Sequence, residues 1–175
     1  MTGFVIAGPA SGVGKTTVTA ALMAALKKRG LHVQAFKCGP DFIDPDHHTR
    51  ISERPSHNLD TWMLPTEVNR GIFAAASHDA DVAVVEGMMG LFDGVRGTNE
   101  EGSSAETAKL LGLPIVLVVD ASSAARSVAA LVHGFQSFDP QIRIAGIILN
   151  RVANTRHAQM LIEALKGRES PWPAA

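Results

Sequence analysis

A single cysteine, Cys38, stands in 175 residues. An intrachain disulfide and a thiolate zinc cluster are both excluded, and such usage suits a reducing cytoplasm. Charge of one sign is lacking too: 16 Lys and Arg against 17 Asp and Glu give a formal net charge of -1. Without a basic excess there is no signature of nucleic-acid or anionic-membrane binding. No apolar stretch approaches the roughly 18–20 residues that a membrane-spanning helix needs. The first residues run straight into an apolar segment, without the charged region and hydrophobic core of a signal peptide. Internal repeats and low-complexity linkers are also missing. What is present, 46% hydrophobic and 19% charged residues, predicts one soluble, cytoplasmic domain with a real core.

Short Val/Ile-rich runs alternate with helical patterns. The runs are Phe4–Ala7, Val33–Phe36, Val82–Val85, Ile115–Val119 and Ile144–Leu149. Their length and composition predict strands buried on both faces of a mostly parallel sheet with helices on both sides, an α/β fold. Helices are expected over Thr16–Arg29, Ser104–Leu111, Ala124–Phe138 and Thr155–Leu165. Residues 37–64 read as a long polar connection, with Pro40, Pro45, Pro55 and Pro65 in or just beyond it. A connection of that length in a compact domain points to function.

The first strand leads into Gly8-Pro9-Ala10-Ser11-Gly12-Val13-Gly14-Lys15-Thr16-Thr17. A strand, a glycine loop, Lys-Thr and a helix together solve the problem of holding a triphosphate. Glycines let backbone N–H groups close on phosphate oxygens, and the helix N-terminus adds partial positive charge. Lys15 can reach the β- and γ-phosphates and the Thr16 hydroxyl can ligate Mg²⁺. Five residues separate Gly8 from Gly14, one more than in the common form.

Two acidic elements are predicted on the same rim, beyond the carboxyl ends of the strands. Glu86 ends the Val82–Val85 run, where a carboxylate can hold Mg²⁺ or remain a solvated strand-end acid. Gly87-Met88-Met89-Gly90-Leu91-Phe92-Asp93-Gly94 follows; Asp93 is either carried toward a ligand or is a turn aspartate. After the second strand, Lys37 can neutralise a substrate carboxylate or a transferring phosphoryl group. Asp41 and Asp44 either bring Mg²⁺ to the γ-phosphate or cap turns. His47-His48 has no third ligand at zinc-like spacing and reads as polar loop. Cys38 has no partner that would make it a nucleophile and reads as structural.

The segments Phe36-Lys37-Cys38-Gly39-Pro40-Asp41-Phe42-Ile43-Asp44-Pro45, Asn58-Leu59-Asp60-Thr61-Trp62-Met63 and Val85-Glu86-Gly87-Met88-Met89-Gly90-Leu91-Phe92-Asp93-Gly94 resemble the cobyrinic acid a,c-diamide synthases, the hydrogenobyrinic form included. Val118-Val119-Asp120-Ala121 and Gly146-Ile147-Ile148-Leu149-Asn150-Arg151-Val152 extend the resemblance, which runs from about residue 3 to 166. It implies a P-loop NTPase-type fold like that of dethiobiotin synthetase. It also implies ATP-dependent amidation of the a and c carboxylates of a corrinoid through an acyl phosphate.

Carried over by position, Gly12, Val13, Gly14, Lys15, Thr16, Thr17 and Asn150 would bind ATP, Asn150 near the adenine. Thr16, Asp41 and Glu86 would hold Mg²⁺. Lys37, Asp41, Asp44, Glu86 and Asp93 would serve catalysis, Asp44 and Asp93 by positioning or activating the substrate. The implied partners are cobyrinate or hydrogenobyrinate, ammonia from a glutaminase domain or subunit, and a second copy in a homodimer. Residues 1–166 are expected to form the synthetase domain without its last strand, and 167–175 a frayed tail. A glutaminase domain, which family members carry, has no counterpart in this sequence. Chemistry agrees with the resemblance, because forming an acyl phosphate asks for charge neutralisation and in-line positioning, and no Ser/His/Asp or Cys/His set is found.

Four other readings stand beside this one. A dethiobiotin synthetase is disfavoured by Gly39-Pro40-Asp41-Phe42-Ile43-Asp44-Pro45. An amidase of nickel sirohydrochlorin differs only in its acceptor. A switch ATPase of the positioning class, or a nucleotide-binding remnant without turnover, would show no substrate effect; the switch class carries an extra lysine where this loop reads Pro9-Ala10-Ser11.

Overall fold

A computed structural model describes residues 2–167. Six strands form one sheet, all neighbours parallel, in the order β3-β2-β4-β1-β5-β6. They are β1 (Thr2–Ala7), β2 (Val33–Cys38), β3 (His57–Leu59), β4 (Val82–Glu86), β5 (Ile115–Asp120) and β6 (Ile144–Asn150). The helices are α1 (Lys15–Lys28), α2 (Asp44–Ser52), α3 (Thr66–Ser77), α4 (Ser104–Leu111), α5 (Ser127–Phe138) and α6 (Thr155–Lys166). The α/β fold with helices on both faces is as the apolar runs predict.

Alternation along the strands divides the core. Ile6, Val33, Ala35, Val82 and Val84 face α1, where Met23 is fully buried and Val18, Leu22 and Leu26 pack beside it. Val5, Ala7, Phe36, Ala83 and Val85 face the other way, against Phe73 of α3, Ala105 and Ala108 of α4, Val128 and Val132 of α5 and Leu161 of α6. Each fully buried large apolar side chain stabilises the fold by about 1.5–3 kcal/mol, so both layers are needed.

The sequence reading is corrected in one region. Residues 37–64 are not a structureless connection: they contain α2 and the short edge strand β3. The helix Thr66–Ser77 likewise lies outside the helices expected from the sequence. α2 reads Asp-Pro-Asp-His-His-Thr-Arg-Ile-Ser, with almost no apolar periodicity to reveal it. It forms because Pro45 suits the first turn of a helix, where its missing N–H costs nothing, and because Asp44 and Asp46 complement the helix dipole there. The start of α5 lies three residues later than the pattern predicts. The tail expected over 167–175 lies, apart from Gly167, outside the described residues.

Candidate active site

Strand parity and register assemble the centre of the site. Lys37 has the parity of Val33 and Ala35, and Glu86 that of Val82 and Val84, so both point to the α1 face. In the β2–β4 pairing Lys37 lies directly opposite Glu86. Lys37 Nζ donates to Glu86 Oε1 at 3.0 Å and to Asp44 Oδ2 at 2.5 Å. The Thr16 hydroxyl, in the first turn of α1, donates to Glu86 Oε1 at 2.5 Å and lies 3.5 Å from Asp44 Oδ2. Thr16, Lys37, Asp44 and Glu86 therefore meet at one point below the phosphate loop.

Glu86 is fully buried, not a solvated strand-end acid. Burial alone would push its carboxyl up. The hydrogen bond from His48, the Lys37 charge and the Thr16 hydroxyl outweigh that and hold it at about 2. Burial likewise works against the charge on Lys37, but Glu86 and Asp44 reverse the balance and raise its pKa. Lys15 is lowered, by burial first and by the neighbouring Lys37 second. Its Nζ donates to the carbonyls of Ala10 at 3.0 Å and Met89 at 2.5 Å. Cys38 is buried and its thiol is pushed up to about 11, chiefly by desolvation, which fits the structural reading.

The loop itself is braced from behind. Gly14 has φ of 100°, and a Cβ there would fall 2.2 Å from Asn150 Nδ2. Asn150 Nδ2 donates to the Val13 carbonyl at 2.8 Å, and Arg151 donates to the Gly12 carbonyl at 2.9 Å. Asn150 is thus placed against the loop backbone, and Thr17 is exposed in the first turn of α1.

The two remaining carboxylates sit at the margin. Asp41 Oδ1 accepts from the backbone N–H groups of Ile43 (2.8 Å) and Asp44 (3.0 Å), so it turns the chain into α2. Its other oxygen is 3.9 Å from Lys37 Nζ. Asp93 is exposed and accepts from Gly90 N at 2.9 Å. That turn needs a glycine, because a Cβ on Gly90 would meet Asp93 Oδ2 at 2.4 Å and the Pro9 carbonyl at 2.8 Å. Both aspartates do turn chemistry here, and of the two acids in the second segment it is Asp44 that approaches Thr16.

His48 is the residue that sequence reasoning missed. It is not in a polar loop: it is 1% exposed on α2, one turn beyond Asp44, with Nε2 2.7 Å from Glu86 Oε2. The (i, i+4) spacing of Asp44 and His48 is the signal that could have found it, once 44–52 is read as a helix.

A cleft of about 390 Å³ opens over this centre, lined by Gly12, Gly14–Thr17, Lys37, Asp41 and Glu86–Met89. A larger concavity of about 610 Å³ between the 92–100 segment and Phe138 carries Asp93, Arg96, Glu100 and Asp139, but Glu100 and Asp139 are paired with Lys109 and no phosphate loop adjoins them. Asp41, Asp44 and Glu86 face Lys37, with Lys15 nearby, and this acidic balance favours a cation. Among the described residues no three His, Cys, Asp or Glu side chains are placed to hold a metal by themselves. A hydroxyl with one or two carboxylates is nevertheless the oxygen set that suits Mg²⁺ bound jointly with phosphates. The donor set therefore fits a magnesium nucleotide.

Residues 4–174 match the model of the CobQ/CobB/MinD/ParA nucleotide binding domain. The chain belongs to that family. It is 51% identical over 162 residues to the cobyrinate a,c-diamide synthase of Priestia megaterium, covering 93% of this chain and 35% of that protein. It is 55% identical over 161 residues to the hydrogenobyrinate a,c-diamide synthase of Streptomyces coelicolor, covering 92% and 33%. The chain thus spans about a third of the length of these relatives. Among solved structures it resembles chloroplast FtsY from Physcomitrella patens, with a TM-score of 0.63 and 20% identity over 98% of this chain and 56% of that one. The hydrogenase maturation factor HypB from Archaeoglobus fulgidus gives a TM-score of 0.56 and 16% identity over 95% and 74%. The likenesses to solved structures establish the fold, a P-loop-type parallel sheet, and the family model names it a nucleotide binding domain.

Proposed function

We propose that this chain is the ATP-dependent synthetase domain of a cobyrinate or hydrogenobyrinate a,c-diamide synthase. The observation that carries the reading is identity of 51–55% to proteins of those names across more than nine-tenths of the chain. The geometry supports it. Lys37 is a buried cation fixed between Asp44 and Glu86, so it can meet both a γ-phosphate and an incoming carboxylate. Thr16, Glu86 and Asp44 would hold Mg²⁺, which when bound spreads the negative charge of the phosphate oxygens. Asp41 holds the entrance of α2 and Asp93 the turn over the loop, so both set the walls that the acceptor meets. Asn150 would fix the loop beside the adenine site.

In the proposed reaction an acetate carboxylate oxygen of the corrinoid attacks the γ-phosphorus of ATP. The bond to the bridging oxygen breaks and ADP leaves with its electron pair. Ammonia then attacks the acyl carbon and phosphate departs, leaving an amide. Lys37 neutralises charge in the first step, and positioning rather than a covalent protein nucleophile provides the acceleration. The reading includes ammonia delivered by a glutaminase domain or subunit, a homodimer, and a cytoplasmic setting. The chain incubated with MgATP, ammonium and either corrinoid should yield products in which one or two carboxyl oxygens are replaced by nitrogen, read by mass spectrometry. Nucleotide binding without corrinoid-dependent product would favour a nucleotide-binding domain without ligase chemistry.

A further inference from the structure

His48 is the one buried side chain at this centre that the proposed chemistry leaves without a task. It lies on the sheet-facing side of α2, one turn from Asp44, and is 1% exposed. Its Nε2 is 2.7 Å from Glu86 Oε2, and Glu86 is itself completely buried. Glu86 Oε2 is a carboxylate acceptor, so Nε2 carries the hydrogen. On the other side of the ring the Ser56 hydroxyl lies 3.5 Å from Nδ1. Ser56 is in turn fixed: its backbone N–H donates to Thr49 Oγ1 at 2.9 Å.

The two oxygens of Glu86 are therefore divided. Oε2 is taken by His48, while Oε1 receives Thr16 and Lys37. A carboxylate with both oxygens free can rotate about its last bond and can bind a cation through either oxygen or both. One held from behind presents a single oxygen in a single plane.

We infer that His48 is a positioning residue that locks the Glu86 carboxylate so that only Oε1 faces Thr16 and the cation of a magnesium nucleotide. α2 then delivers Asp44 to Lys37 and, one turn later, the lock for Glu86, so a single helix sets both acids. This inference rests on the reading of Thr16 and Glu86 as the magnesium end of the nucleotide site. Partners that hold a ligating group from behind are worth about 10–100-fold in metal affinity.

The test is calorimetric binding of a non-hydrolysable ATP analogue, with Mg²⁺ and separately with chelator, to the unaltered chain, His48→Phe and His48→Gln. Phe fills the space without a donor; Gln places an N–H near the position of Nε2. His48→Phe should lose about tenfold or more in affinity for the magnesium complex and little for the metal-free analogue. His48→Gln should restore the magnesium-dependent part. A thermal melt without nucleotide checks that each variant is folded. Should His48→Phe melt early, His48→Asn, polar but too short to reach Glu86, is the second donor-deficient variant and should show the same magnesium-specific loss. Equal loss with and without Mg²⁺, no loss in either donor-deficient variant, or no rescue by Gln would each overturn the inference. Failure of the unaltered chain to bind the analogue better with Mg²⁺ would instead overturn the reading of the site on which the inference stands.

Discussion

The phosphate loop is held on two sides by different kinds of contact. On the β2–β4 side Lys37 and Glu86 are 4% and 0% exposed, and they meet Asp44, Thr16 and His48 at the floor of the cleft. On the β5–β6 side Asp120 and Arg151 form an ion pair at the surface, and Arg151 and Asn150 reach the carbonyls of Gly12 and Val13. The first arrangement is largely buried, so each charge depends on its partners, and loss of one leaves the others stranded. The second is solvated, and its charges can be removed at little cost. Fixed charges act more strongly away from water, which suits the buried side to the phosphoryl transfer proposed above. The solvated side supports the loop backbone.

The contrast can be broken most strongly at Lys37. Lys37→Met leaves Asp44 and Glu86 facing each other without a cation and should lower stability by about 3 kcal/mol. Urea unfolding followed by circular dichroism would register it, and a loss under about 1 kcal/mol would mean that water already reaches this centre. Next comes Gly14→Ala. Its φ of 100° and the 2.2 Å approach of Asn150 require the loop or Asn150 to move. A cost of about 1–3 kcal/mol is expected from the strained backbone, together with loss of nucleotide binding in a fluorescent-analogue titration. Normal binding would show that the brace behind the loop is dispensable.

Acid separates the buried from the solvated charges. Glu86 is held at about 2, below its ordinary value of 4.5, by His48, Lys37 and Thr16 acting against burial. Because its folded pKa is depressed, its contribution is fully present above about pH 4.5 and is lost as pH falls toward 2. Asp79 is also lowered to about 2, but by an exposed hydrogen bond and ion pair with Arg54. Carboxyl NMR titrations at low salt and at high salt should move Asp79 upward and leave Glu86 in place, since ions screen only charges they can approach. Equal movement of both would erase the distinction. The smallest effect is expected for Arg151→Ala: at most about 1 kcal/mol, shrinking in salt, measured by the same unfolding assay.

Much of this was legible in the residues. Continuous Val/Ile runs announced five of the six strands, and the glycine loop announced the ligand class. Lys37 and Glu86 could be placed on one rim because both end buried strands. What stayed hidden was α2 as a helix and, with it, the place of His48, although Asp44 at its start stood among the candidates. Its residues are mostly polar because its buried face meets the charged centre through Asp44 and His48, with Ile51 as its contact to the apolar core. A helix that packs on charges has no hydrophobic period to read. His48 was misread for the same reason: beside His47 it resembles loop polarity, and only the helical turn separates the exposed ring from the buried one. Asp41 shows the converse, a residue whose turn chemistry was among the readings kept open and which the structure uses in that way.

In the proposed reaction Lys37, Asp44 and Glu86 bring a corrinoid carboxylate and the γ-phosphate together. Hydroxylamine in place of ammonia tests it most directly, since an acyl phosphate is converted to a hydroxamate. The chain with MgATP, hydrogenobyrinate and hydroxylamine should release ADP and give a corrinoid hydroxamate by mass spectrometry, and Asp44→Asn should lower hydroxamate formation far more than it weakens nucleotide binding. ADP release that is indifferent to the corrinoid, with no hydroxamate formed, would contradict the account.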